Sequence, residues 1–211
     1  MQTLTLNLLT KGPEGEPLPT VFPGLEMYGA SIRRGQLTLI CAASGVGKSS
    51  IVTYMAMNME SPDGKVPTVY FSADSDVTTF GIRAGTMATV GLSTRDAERL
   101  ILDRDPDVLG EIEEATNNIW VCFDSSPSCQ DIQDEIEAYA MVTGEYPHLI
   151  VVDNLMDVPT GGMEERSGQD AVLDFLKQLA SRTQSAMVVL CHAVGEYADG
   201  TTAIQIGRAH V

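Results

Sequence analysis

The glycine-rich segment Ala42-Ala-Ser-Gly-Val-Gly-Lys-Ser49 carries the most specific chemical signal in the sequence. It fits the phosphate-binding loop pattern G-x-x-x-x-G-K-S/T, with alanine in place of the first glycine. Gly45 and Gly47 permit the backbone to curl so that successive N–H groups point at phosphate oxygens. Lys48 is expected to reach the β- and γ-phosphates, and the Ser49 hydroxyl is expected to ligate Mg²⁺.

A loop of this kind binds the phosphates of a nucleoside triphosphate together with Mg²⁺. The alternative interpretation is a glycine-rich turn with a surface lysine. It is disfavoured because an apolar run precedes the loop and a helical pattern follows it. The residues expected to contact the nucleotide are Ala43, Ser44, Gly45, Val46, Gly47, Lys48, Ser49 and Ser50.

A second feature is the apolar segment His148-Leu-Ile-Val-Val-Asp153-Asn154, which ends in an acidic residue. A carboxylate at the C-terminal end of a buried parallel strand lies beside the phosphate-binding loop and can hold the Mg²⁺ shell. Many buried strands end in Asp, so the pattern is weak alone and gains its weight from the loop upstream. We therefore predict that Asp153 is a metal ligand together with Ser49.

Two other apolar segments also end in polar residues, Thr68–Asp74 and Met187–His192. Asp74 is predicted to be the catalytic base that orients and deprotonates the attacking water. The alternative for Asp74, and for Asp76 two residues later, is to cap a helix. His192 is predicted to contact the γ-phosphate, and the alternative is a strand-end histidine that faces solvent.

The elements that must position these residues follow an alternating pattern of strands and helices. Near-continuous apolar strands that alternate with helices predict an α/β fold of the P-loop NTPase kind, with a mostly parallel sheet flanked by helices on both faces. Helices are predicted over 49–59, 77–90, 94–102, 107–116, 128–142 and 170–181, with a loop over 160–168. The predicted strands are 37–42, 68–72, 119–123, 149–152 and 186–191.

Composition excludes several classes of protein. The 211 residues include 13 Lys and Arg against 29 Asp and Glu, a net charge of −16, which disfavours a protein that coats nucleic acid. Cys41, Cys122 and Cys191 lie in apolar runs, so we expect buried thiols in a reducing compartment. No apolar run approaches the ~20 residues of a membrane span, and the N-terminus does not resemble a signal peptide. A cytoplasmic protein without membrane contact is expected.

Residues 1–24 are punctuated by Pro and Gly and are interpreted as an N-terminal arm. Residues 25–204 are expected to form the nucleotide-binding core, incomplete at its C-terminal end. Residues 205–211 follow a strand and a loop without an element that would close the domain, and they resemble the translation of a sequencing adapter. We expect them to be a non-native tail on a chain truncated near residue 204; the alternative is a short natural tail.

With these residues in view, the chain resembles the RecA-like ATPases, and among them the ATPase domain of DnaB-type hexameric helicases. The resemblance covers most of residues 22–192. Phe22–Leu25 and Gly35–Thr38 resemble the lead-in to the P-loop strand, and Phe71-Ser-Ala-Asp74 resembles the strand that ends in the catalytic Glu. Asp124-Ser-Ser-Pro127 is similar to a segment that precedes the metal-binding strand. His192 falls where the family has a Gln that senses the γ-phosphate.

The sequence also departs from that family. Asp74 is one methylene shorter than Glu, which implies slower hydrolysis or a shifted geometry. The helix after Pro127, basic in the helicases, carries Asp131, Asp134, Glu135 and Glu137. The family's N-terminal helical domain is missing from this sequence, and its arginine finger would lie beyond the expected truncation.

The resemblance implies an ATP-hydrolysing DnaB-like DNA helicase in replication, which forms a homo-oligomeric ring or filament around single-stranded DNA. The loop Pro159–Gln169 would line the channel, although Arg166 is its one basic residue. The alternative is a RecA-, RadA- or KaiC-like ATPase in recombination, repair or control of protein assembly, without strand separation.

Two other classes receive less support. A small-molecule kinase needs a lid with several Arg residues, but Arg95, Arg99 and Arg104 are spread along acidic helices. A nucleotide-binding structural subunit with degraded catalysis is a further alternative, because Asp74 replaces the longer Glu.

Overall fold

The computed structural model describes residues 15–162, 165–192 and 205–207, together with Leu6. The strands are β1 (Leu37–Ala42), β2 (Glu60–Ser61), β3 (Gly64–Lys65), β4 (Thr68–Ser72), β5 (Ile119–Cys122), β6 (Leu149–Asp153), β7 (Ala186–His192) and β8 (Gln205–Gly207). The main sheet has the strand order β5-β4-β6-β7-β1-β8, in which β8 is antiparallel to β1 and the other neighbours are parallel. β2 and β3 form a separate antiparallel pair. The predicted α/β architecture is confirmed.

Seven helices of the described residues connect these strands. They are α1 (Pro23–Met27), α2 (Lys48–Asn58), α3 (Val77–Ala88), α4 (Thr94–Leu102), α5 (Pro106–Thr116), α6 (Cys129–Thr143) and α7 (Glu165–Thr183). Local sequence explains their ends: Ser128 and Asp131 form a capping box at the start of α6, and Gly144 ends it with a φ of 88°, a conformation that costs glycine little.

The start of α7 differs from the prediction. A loop was expected over 160–168, whereas the helix begins at Glu165. The first turn of α7 carries polar residues and glycine rather than the apolar period that identifies a helix, so the pattern reveals only its later, buried part. The segment Pro159–Gln169 is therefore helical from Glu165 onward.

The sheet separates two hydrophobic cores. On one face Val69, Phe71 and Val152 pack against α6 and α7, and on the other face Val151 and Val188 pack against α2 and α3. Because side chains alternate along a strand, Tyr70 points to the α2 face while its two neighbours point to the other. α4 and α5 pack on α3 and stand apart from the sheet.

Two of the predicted free thiols are joined. Cys41 on β1 and Cys191 on β7 form a disulfide, because the two strands are parallel neighbours and the residues stand directly opposite each other. The 150 residues between them in sequence hide this proximity. Cys122 is a half-buried free thiol, and burial, followed by the charge of Glu135, raises its pKa to about 12.

The ends of the described chain also join the fold. Residues 15–18 pair with 32–34, and Leu18 is buried in the core. Gln205–Gly207 pair with Leu39–Cys41, and the non-native origin of residues 205–211 stays a prediction. Among the described helices, none combines the length and the apolar character that crossing a bilayer requires.

Candidate active site

The phosphate-binding loop connects β1 to α2, as predicted. Gly45 and Gly47 have φ values of 75° and 90°, in the left-handed region that favours glycine. Gly47 is also the residue that precedes α2, so the loop delivers the chain directly to the N-terminal, electropositive end of an 11-residue helix. Ser49 and Ser50 lie in the first turn of α2 and are half-buried. This is the geometry of an anion-binding loop.

Lys48 begins α2 and is 6% exposed. Its Nζ donates to the carbonyl oxygens of Ala42 at 3.0 Å and Ala43 at 2.8 Å, and it lies 3.2 Å from Nδ1 of His192. Burial lowers the pKa of Lys48, and the negative charges of Asp153 and Asp74 oppose that shift. The predicted lysine, histidine and carboxylates therefore share one electrostatic environment.

Asp153 ends β6 directly opposite Ser72 of β4 and is 2% exposed. Its Oδ2 accepts a hydrogen bond of 2.9 Å from the Tyr70 hydroxyl. Its backbone carbonyl accepts hydrogen bonds from the N–H groups of Ala73 at 2.8 Å and Asp74 at 3.3 Å. The end of β6 therefore fixes the backbone of the residue predicted to be the base.

Asp74 follows β4 and its side chain is exposed. The helix that follows shows which residue of the acidic pair is the cap: the Asp76 carboxylate accepts from the Thr79 N–H at 2.7 Å and caps α3. Those hydrogen bonds lower the pKa of Asp76. Since Asp76 caps the helix, Asp74 is not required for that role.

His192 ends β7 and is half-buried rather than solvent-facing. Its Nδ1 faces Lys48, and its Nε2 lies 3.4 Å from Nδ2 of Asn154. Asn154 is 3% exposed, and its Oδ1 accepts from the Met156 N–H, so the amide orientation is set by the short helix Leu155–Asp157. The imidazole ring of His192 therefore lies between Lys48, the first residue of α2, and Asn154, which directly follows β6.

Sequence reasoning missed four residues at this edge. Tyr70 and Asn154 bond to predicted site residues, and Nη2 of Arg83 lies 3.2 Å from Oγ of Ser75. Burial, then the charge of Asp74, raises the pKa of Asp157. Of these residues, only Tyr70 could have been noticed in the sequence. A tyrosine inside an apolar strand is expected to be buried, and a buried hydroxyl needs a hydrogen-bond partner.

The donor set fits a phosphate-bound Mg²⁺. Within the described residues, no three His, Cys, Asp or Glu side chains converge to hold a metal by themselves. Mg²⁺ keeps several waters and takes one or two protein ligands plus substrate phosphate oxygens. A hydroxyl at Ser49, in the first turn of α2, and a buried carboxylate at Asp153, at the end of β6, match that requirement.

Comparison with known proteins identifies the family of this chain. A family profile described as AAA domain matches residues 15–195. The chain belongs to the AAA domain family. It is 36% identical to the Gene 65 protein of Mycobacterium phage L5 over 99% of this chain and 79% of that protein. It is 35% identical to the Gene 65 protein of Mycobacterium phage D29 over 81% of this chain and 72% of that protein.

Solved structures agree on the fold of this AAA domain. A DnaB-like replicative helicase, described with its interactions with primase, matches with a TM-score of 0.70 at 15% identity and covers 90% of this chain. The chain spans about half of that helicase, 47% of its length. A KaiC-like protein from Pyrococcus horikoshii OT3 matches with a TM-score of 0.54 at 14% identity, over 85% of this chain and 71% of that protein. The fold is that of the RecA-like P-loop ATPases.

Proposed function

We propose that the protein is a cytoplasmic ATPase that hydrolyses ATP and works as a DnaB-like helicase motor on single-stranded DNA in replication. The observation that carries the ATPase proposal is the meeting of Lys48, His192 and Asp153 at the carboxyl edge of the sheet, next to an open glycine-rich loop. This edge is where parallel α/β sheets bind ligands.

In the proposed reaction, backbone N–H groups of residues 44–48 cradle the phosphates, and Lys48 exchanges its carbonyl partners for phosphate oxygens. Ser49 and Asp153 would hold Mg²⁺, the latter through water. When bound, the cation supplies positive charge against the developing charge on the phosphates. Lys48 and the N–H groups add to the same stabilisation.

Asp74 is proposed to accept the proton of the attacking water. Its exposed carboxylate lies at the mouth of the site, and its backbone N–H is held by the carbonyl of Asp153. His192 is proposed to report the γ-phosphate, because its contact with Lys48 is lost when the ammonium turns toward the nucleotide. Nucleotide occupancy would then change the end of β7.

The helicase proposal has support from the RecA-like fold shared with a DnaB-like replicative helicase. In the helicase proposal, identical subunits would assemble into a ring or filament. A second candidate is an ATPase of the KaiC or RecA kind that controls protein assembly, recombination or repair. The net charge of −16 and the acidic exposed face of α6 favour it, because DNA binding relies on clustered Lys and Arg.

The test is ATP hydrolysis by the protein with Mg²⁺, in the presence and absence of single-stranded DNA, together with the sedimentation of each sample. Lys48→Ala should abolish hydrolysis, and Lys177→Ala, at an exposed lysine on α7, should match wild type. Stimulation by DNA supports the helicase proposal. Hydrolysis that ignores DNA while ATP changes the oligomer supports the second candidate and contradicts the first.

A further inference from the structure

Tyr70 occupies the middle of β4, a strand that lies between β5 and β6 inside the sheet. Its side chain has no exposed surface, so its hydroxyl must find a protein partner or carry the cost of an unpaired buried polar group. That partner is Oδ2 of Asp153 at 2.9 Å. The two residues are separated by 83 positions in sequence and are brought together by the pairing of β4 with β6.

The direction of the hydroxyl is fixed by packing. The Tyr70 ring meets the Phe80 ring edge-on, with centroids 5.2 Å apart and an interplanar angle of 75°. Phe80 in turn packs edge-on against Phe123 at 5.8 Å. A phenol is protonated at neutral pH, so the Tyr70 hydroxyl that this packing orients donates to Asp153.

Asp153 needs such a donor. It is 2% exposed, and a buried carboxylate without hydrogen bonds is costly and free to change rotamer. Its backbone carbonyl is already engaged by the N–H groups of Ala73 and Asp74. A hydrogen bond on Oδ2 therefore leaves Oδ1 as the oxygen available to the water shell of a cation.

We propose that Tyr70 is a positioning residue that holds the Asp153 carboxylate in the orientation required for Mg²⁺ at the bound nucleotide. This inference rests on the proposed function, since it concerns the same site. Hydrogen-bond partners of metal-binding carboxylates usually act in this way, and their loss weakens metal binding about 10- to 100-fold.

The test measures binding rather than turnover. The affinity of the protein for a fluorescent ATP analogue is titrated once in excess EDTA and once in Mg²⁺, and the ratio of the two affinities is the gain due to Mg²⁺. Tyr70→Phe removes one oxygen and keeps the ring against Phe80. It should lower the gain about 10-fold, the smaller end of the range for such partners, and leave the affinity in EDTA within twofold of wild type.

Two further variants control this result. Tyr139→Phe removes a hydroxyl from a buried tyrosine on α6 that packs against Trp120, away from the loop, and should leave the gain unchanged. Asp153→Asn should remove most of the gain, and adding Tyr70→Phe to it should change the gain by less than twofold, because the hydroxyl acts through that carboxylate.

The outcomes separate the two proposals. A wild-type protein that shows no Mg²⁺-dependent binding of the ATP analogue would overturn the proposed function, and the role of Tyr70 with it. A wild-type gain that survives in Tyr70→Phe would overturn the role of Tyr70 alone. That role is also overturned if Tyr70→Phe weakens binding equally in EDTA and in Mg²⁺, since equal weakening is the signature of a general packing defect.

Discussion

The carboxyl edge of the sheet and the acidic helices α4 to α6 both carry many charged and polar groups, yet they use them differently. At the edge, polar contacts join distant parts of the chain: Lys48 and His192 are 144 residues apart. Several contacts on the acidic helices are local, as in Arg99 with Asp96 and Asp103, or Gln133 with Glu137. Lys48 is buried and His192 is half-buried, whereas these helix-surface contacts are exposed.

Burial decides how much a polar contact contributes to stability. A buried group that loses its partner pays a desolvation cost, whereas an exposed group exchanges its partner for water. Local contacts on a helix surface add only tenths of a kcal/mol each. Substitutions at the carboxyl edge should therefore change chemistry or stability strongly, and substitutions on the acidic helices should change them weakly.

A large effect on the rate of hydrolysis is expected at His192. His192→Ala removes a donor at the γ-phosphate and should lower the rate of ATP hydrolysis about 100-fold, as the loss of one positioned donor does elsewhere. His192→Gln should retain more of the rate than His192→Ala, because an amide can donate to the same oxygen. Single-turnover hydrolysis measures both. Equal rates in wild type and His192→Ala would exclude His192 from the reaction.

The next effect concerns the disulfide that ties β1 to β7. Reduction should lower the free energy of unfolding by about 2–4 kcal/mol, because the cross-link closes a long loop in the unfolded chain. Urea denaturation with and without reductant measures this difference. Thiol titration of the unreduced, denatured protein should count two thiols, Cys122 and Cys129. Four reactive thiols would show that Cys41 and Cys191 are not joined.

A smaller effect is expected for Ser128, which caps α6. Ser128→Ala should lower the free energy of unfolding by about 1 kcal/mol and leave ATP hydrolysis unchanged. Ser181→Ala, at an exposed position inside α7, is the matched control and should change stability by less than ~0.5 kcal/mol. A loss of ATP hydrolysis in Ser128→Ala would show that α6 affects the active site, which would contradict the difference proposed between the two regions.

The smallest effect is expected for Arg99, which faces Asp96 and Asp103 at 3.9 Å with 62% of its side chain exposed. Arg99→Ala should change the free energy of unfolding by less than ~0.5 kcal/mol. The difference should shrink further in high salt, because salt screens exposed charges. A loss above ~1 kcal/mol, the most that exposed pairs usually contribute, would show that this face is more than a solvated surface.

The same contrast explains what the sequence could predict. Strands such as Leu37–Ala42 and Thr68–Ser72 are confirmed residue by residue, because apolar runs between turn residues are local signals. The carboxylate and histidine of the site follow from a general property of parallel sheets, whose carboxyl ends share one edge.

What the sequence could not predict depends on strand order. The order β4-β6-β7-β1 places Tyr70 on Asp153 and Cys41 opposite Cys191, and no local pattern encodes that register. The first turn of α7 also escaped prediction, since its exposed polar residues lack a helical apolar period.

The carboxyl edge is proposed to hydrolyse ATP with Asp74 as the base, and one paired measurement tests this proposal. Mg²⁺-dependent ATP hydrolysis is measured for wild type, Asp74→Asn and Asp76→Asn. Asp74→Asn should lose at least ~100-fold in rate, the effect of removing a general base. Asp76→Asn should match wild type, because asparagine caps a helix as well as aspartate. Hydrolysis that persists in Asp74→Asn, or that is absent from wild type, would contradict the account.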